Sequence, residues 1–143
     1  MATSRRNSSQ GGYTLGLFRR AQDAQRHRQL TFTFRAANSL DLRRALAMLV
    51  RIGVVGHVSS YRFPDSLGRS PREITCTLRY WDGEPLIGVA VGPMRQVSYH
   101  DLLRRIELGG GYGMLLWSDG RLKTVKECLA ARAGGLTLAI ISG

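Results

Sequence analysis

Between Gly113 and Ile141 (GMLLWSDGRLKTVKECLAARAGGLTLAII) the chain reads as strand, tight turn, short helix, double glycine and strand. No other stretch limits the fold as tightly. Leu115 and Leu116 lead into the turn Trp117-Ser118-Asp119-Gly120. Thr124 and Glu127 have the T-x-x-E spacing of a capping box, in which the hydroxyl accepts from a first-turn amide and the carboxylate reaches back to the cap amide. The helix is expected to end at Ala133, with Gly134-Gly135 as a left-handed stop. Leu136, Leu138 and Ile140 then alternate with Thr137, Ala139 and Ile141, as in a half-buried strand. A polar turn and a helix N-terminus held by two strands form a rigid edge with donors suited to phosphate or sugar. An ordinary folding unit, capped only for stability, has the same spacing. Both readings stand at this level.

The charge balance favours the first. Of 21 basic residues, 19 are Arg and two are Lys (Lys123, Lys126), against 10 acidic residues, for a net charge of +11 on 143 residues. An excess of this size on a small chain points to a polyanion, most often nucleic acid. The planar Arg fork suits phosphate and stacks on bases, although genome composition can produce the same bias. Cys76 and Cys128 have neither metal-ligand spacing nor disulfide density and are expected as reduced core residues. No apolar run approaches membrane-spanning length. The first 22 residues hold four Arg and no acid until Asp23. That composition fits a mitochondrial presequence or a basic tail on RNA.

Residues 1–12 are expected as a flexible basic arm, and 13–28 as a helix with Leu15, Phe18 and Ala21 near one face and Arg19 and Arg20 outside. Leu30, Phe32 and Phe34 alternate as a strand. Asn38 or Ser39 caps a helix reaching Ile52 and stopped by Gly53, with Leu42, Ala45, Leu46, Leu49 and Val50 inward and Arg43, Arg44 and Arg51 in water. Strands follow at 54–61, at 74–80 and at 86–91, the first two joined by a long loop over 62–72 and the last two by Asp82-Gly83. A subdomain boundary is placed at Gly92-Pro93, giving an N-terminal unit over 13–92 and an RNA-binding unit over 93–143. Within the latter, 97–99 reads as a short strand, 101–106 as a short helix and the glycines of 109–113 as a connector.

Catalysis has weak support. Ser98, His100 and Asp101 are triad residue types, but four consecutive positions cannot easily make the relayed geometry. His27 and His57 lack companions at metal spacing, so no metal and no cofactor are expected. The glycine run lacks the G-K-[ST] of a phosphate loop. For RNA, Trp117 could stack on a base or ribose, and Ser118 and Asp119 could bond sugars and base edges in a shallow minor groove.

At these residues the chain resembles the universal small-subunit ribosomal protein S-eight family. That family's C-terminal signature is a Ser/Thr-rich turn with a Gly, a Thr-x-x-Glu-Ala helix start and a Gly-Gly before the last strand. Here the corresponding residues are Trp117-Ser118-Asp119-Gly120-Arg121, Thr124 to Cys128 with Glu127 in register, and Gly134-Gly135-Leu136. Arg20 to Ala24 resembles the family's Arg-Asn-Ala, Ile52-Gly53-Val54 its Glu-Gly-Phe, and Leu78-Arg79-Tyr80 its Leu-Lys-Tyr. The likeness runs from Tyr13 to Ile141. The turn departs from the pattern at Trp117 and Asp119, Arg121 stands where a glycine is usual, and Gly92-Pro93-Met94-Arg95 only partly matches the family's Ser-Lys-Pro-Gly. Such departures suit a divergent organellar member.

The resemblance implies an α+β fold of two small subdomains packed in layers. It further implies a non-enzymatic constituent of the mitochondrial small ribosomal subunit, located in the matrix and bound to the central domain of small-subunit rRNA beside other ribosomal proteins. No membrane and no small-molecule substrate are implied. Base-edge and sugar contacts would come from Trp117, Ser118, Asp119, Gly120, Arg121, Thr124, Lys126, Glu127 and Gly134, and phosphate contacts from Arg19, Arg20, Arg43 and Arg44. A free-standing RNA-binding or RNA-processing factor is the alternative.

Overall fold

The computed structural model describes residues 2–36, 40–62, 72–108 and 113–142, with side chains for 14–35, 40–60, 73–108 and 113–142. Most of the loop expected over 62–72, the cap at Asn38 or Ser39 and most of the 109–113 connector lie outside the described residues.

Leu17, Phe18, Ala21 and Ala24 recur on one side of helix α1 (Ala2–Arg26) and are all buried. The helical backbone therefore begins ahead of the expected Tyr13, over residues read as an arm. Once 14–26 are helical, adding residues at the N-terminus avoids the costly nucleation step. The helix ends at Arg26. Arg28 takes the left-handed conformation (φ 53°), while Gln29 N–H donates to Ala24 and Arg28 N–H to Gln25. This is a Schellman stop with arginine where glycine is usual.

Phe32 on β1 (Thr31–Ala36) and Ile74, Cys76 and Leu78 on β3 (Arg72–Leu78) point to the same buried face. With β2 (Val55–Arg62), these strands form an antiparallel sheet in the order β1-β3-β2. Helix α2 (Leu40–Ile52) lays Leu42, Ala45, Met48 and Leu49 toward that core, whereas Val50, expected inward, is exposed, and Gly53 (φ 104°) stops the helix as its position suggested. Strands β4 (Tyr80–Trp81) and β5 (Glu84–Pro85) form a small separate hairpin.

The second sheet has the order β6-β10-β8-β9, built from β6 (Gly88–Ala90), β8 (Met114–Ser118), β9 (Arg121–Thr124) and β10 (Gly135–Ser142). The short β7 (Gln96–Val97) also pairs with β10, at Gly135 and Leu136. Helices α3 (Tyr99–Glu107) and α4 (Val125–Ala130) complete the order. The fold is α+β, as expected.

The boundary at Gly92-Pro93 is crossed by the packing. Strand β6, expected within the N-terminal unit, pairs with Ile140, Ile141 and Ser142 of β10. Its other edge is closed by Gln25 of α1, whose amide donates to Ile87 O (2.8 Å) and accepts from Val89 N–H (3.0 Å). One buried cluster joins Phe18, Leu49 and Ile74 to Val89, Leu115, Leu122 and Leu138, so the core continues through both sheets. A second cluster, including Val97, Leu102, Leu116, Val125 and Cys128, fills the space toward α3 and α4. Strand β8 is thus covered on both faces, and its Met-Leu-Leu run is buried without alternation. The apolar run over 86–91, of which only Val89 is buried, marks a strand but carries no information about which strand it joins.

Candidate nucleic-acid interface

The C-terminal unit is built around the β8–β9 hairpin. Asp119 (φ 52°) and Gly120 (φ 71°) both have positive φ, the requirement of the two-residue turn that matches strand twist and the reason for its Asp-Gly preference. Four residues, two of them charged, are too few to show a strand period. Strand β9 was accordingly not expected between turn and helix.

Ser118 faces inward. It is buried, and its hydroxyl donates to Gly134 O at 2.6 Å, tying the hairpin to the approach to β10. That corrects the expectation of a sugar or base-edge contact, because this donor is already engaged inside the fold. Trp117 is half-buried against the main core, paired with Leu122 on one side and Leu136 on the other. Only Asp119, Gly120 and Arg121 of the expected turn are exposed.

The double glycine also has a different task. Helix α4 ends at Ala130, not Ala133, and the left-handed residue is Arg132 (φ 53°), with Ala133 N–H donating to Cys128 O. A Cβ on Gly134 would run into Val97 O, and one on Gly135 would lie 2.8 Å from Trp117 O. The pair is small because three backbone segments converge there.

The capping box is present as spaced. Thr124 Oγ1 accepts from Glu127 N–H at 3.2 Å, and Glu127 Oε1 accepts from Thr124 N–H at 3.1 Å. The start of α4 therefore already carries a carboxylate, which repels phosphate and weakens the anion-grip reading of this edge. Across from it, Arg44 on α2 donates to Leu122 O (3.3 Å) and stands 3.6 Å from Glu127 Oε2. A cleft of about 570 Å³ collects Arg44, Met48, Arg51, Thr124, Lys126 and Glu127. Four residues from separate parts of the expected set, Arg44, Thr124, Lys126 and Glu127, thus come together. Arg51 joins them because it lies seven positions beyond Arg44 on the same helix face, a spacing visible in the sequence. Arg43 is exposed without being part of this cleft.

No protein-family model matches the chain, and no curated protein matches it.

A second open groove lies between α1 and β1. It measures about 850 Å³ and is walled by Arg19, Arg20, Asp23, Arg26, Thr33 and Arg35, with Phe34 and the 91–93 segment also bordering it. Arg20 is committed to the fold, donating from Nε (3.3 Å) and Nη2 (3.2 Å) to Thr33 O on the free edge of β1. Arg35 pairs with Glu73 at 3.1 Å. Arg19 and Arg26 are exposed and have no acidic partner among the described residues. Arg26 was not in the expected site, yet it stands seven positions after Arg19, two helical turns along one face. Asp23, between them, lies 3.5 Å from the His27 ring.

Ser98 caps α3, its hydroxyl accepting from Asp101 N–H at 3.1 Å, while the His100 ring meets Tyr99 edge-on. No helix among the described residues is long and apolar enough to cross a membrane.

Proposed function

We propose that this protein binds structured RNA through its arginine-lined faces, as a non-catalytic constituent of the mitochondrial small ribosomal subunit resembling the S-eight family. The observation that carries RNA binding is the α1–β1 groove on a chain of net charge +11, with Arg19 and Arg26 facing solvent without acidic partners among the described residues. Guanidinium groups seven residues apart on a helix are spaced about 10 Å along its axis, within reach of successive phosphates.

The ribosomal assignment is supported by the ordered likeness from Tyr13 to Ile141 and by the α+β class that likeness implies. In this reading the phosphate contacts come chiefly from Arg19, Arg26, Arg43, Arg51 and Lys126. Arg20 and Arg44 hold strand edges, so their main contribution to RNA is indirect. Asp119, Gly120 and Arg121 offer the exposed turn to sugars and base edges.

The test is twofold. The purified protein should bind a central-domain rRNA stem more tightly than an unrelated duplex of equal length, and the cellular protein should sediment with mitochondrial small subunits in high salt. Equal affinity for the two RNAs would remove the specific contact. Sedimentation apart from the subunit would leave the free-standing RNA factor as the function.

A further inference from the structure

Trp81 is 76% exposed, at the tip of the β4–β5 hairpin. Its turn is Asp82-Gly83, again with positive φ at both residues (52° and 79°). Two-residue strands do not hold a hairpin unaided. Here the end of α1 holds it. Arg28 donates to Gly83 O and pairs with Glu84 at 2.8 Å, and the Tyr80 hydroxyl donates to Gln29 O at 2.6 Å. At the base of the hairpin, Leu30 is 73% exposed and bonded through its carbonyl to Leu78 N–H, and Leu86 is also exposed. A large apolar side chain is thus presented on a braced platform, with little ordering cost left to meet on binding.

The charge at this tip runs against the rest of the chain. Glu84 is neutralised by Arg28, and Asp82 is exposed with no basic partner among the described residues. A carboxylate beside the indole repels phosphate, whereas an exposed tryptophan is the side chain most often found at the centre of a protein-binding hot spot. We propose that the β4–β5 hairpin anchors a partner protein, which receives Trp81 in an apolar pocket and sets a basic residue against Asp82. The surface shares no residue with the RNA-facing groove. Its assay rests on the ribosomal reading, and the two can fail separately.

The full-length variants Trp81→Ser and Asp82→Asn both keep the braced turn, since asparagine tolerates positive φ. Each is measured for affinity to the rRNA stem and for retention in small subunits during sedimentation. Trp81→Ser should bind the stem within about twofold of wild type and lose retention by ~30-fold, the scale of a hot-spot truncation. Asp82→Asn should lose retention by a smaller factor of about five, as for a rim charge. Undiminished retention of Trp81→Ser overturns the anchor, and so does a parallel loss of RNA affinity, which would make Trp81 a base-stacking residue. If wild type does not sediment with small subunits, the ribosomal reading falls and a photo-crosslinking amino acid placed at position 81 in cells decides. A protein adduct weakened by Asp82→Asn upholds the anchor, and an RNA adduct or none overturns it.

Discussion

A single hydroxyl separates the two readings of the C-terminal turn. Ser118 donates to Gly134 O inside the packing, next to the buried Cys128. Burial raises the Cys128 thiol pKa, and hydrogen bonding to Ser118 partly offsets the rise. Ser118→Ala should lower the stability measured by urea unfolding by about 1–2 kcal/mol, because Gly134 O is left without its partner. Affinity for the rRNA stem should stay within about twofold, which would not hold if the hydroxyl faced RNA. Cys76 sets a second residue-scale expectation. Burial lifts its thiol from 9.0 to about 11. The unfolded chain releases this proton at lower pH than the folded one, so the stabilisation is complete below pH 9 and is lost as pH rises toward 11. Other groups titrate in the same range, so the measurable quantity is the difference from Cys76→Ala. The wild type should show a steeper fall across that window, by up to about 1.4 kcal/mol per pH unit.

Three helix side chains close three strand edges: Arg20 on β1, Gln25 on β6 and Arg44 on β9. Open strand edges invite unwanted pairing, and these clamps cover them from within the chain. Gln25 does most, since both its amide groups are used and the residue is buried. Gln25→Leu should cost about 2–3 kcal/mol in thermal or urea unfolding, leaving Ile87 O and Val89 N–H without partners. The loss should appear as early hydrogen exchange at Val89, ahead of the β1–β3 amides. Long apolar side chains with helical spacing placed α1 and α2 from sequence, and the T-x-x-E pair placed the start of α4. Strand β9 and the membership of β6 were not legible, because two to four residues carry no period and partner choice is a long-range matter.

At the scale of the molecule, charge decides how RNA is approached. Replacing Arg19 and Arg26 together by alanine should weaken binding to the rRNA stem and to an unrelated duplex by similar factors, since phosphates carry no sequence. The slope of log affinity against log salt should fall by about one for each phosphate that is no longer neutralised. An unchanged slope would move the RNA off the α1–β1 groove. Stability should alter little, because both side chains are exposed and neither has an acidic partner among the described residues. The α+β class was implied by the family resemblance; by itself the sequence determined the two long helices and most of their buried faces, the capping box and the basic character. Each of these depends on neighbours within a few residues or on simple composition. Only the tertiary structure decided which arginines remain available to a ligand, that Ser118 turns inward, that Gly134-Gly135 serves close packing, and that one core runs through both sheets. Those outcomes depend on which segments meet, and residues such as Arg19 and Arg20 are indistinguishable until a strand edge is set beside one of them.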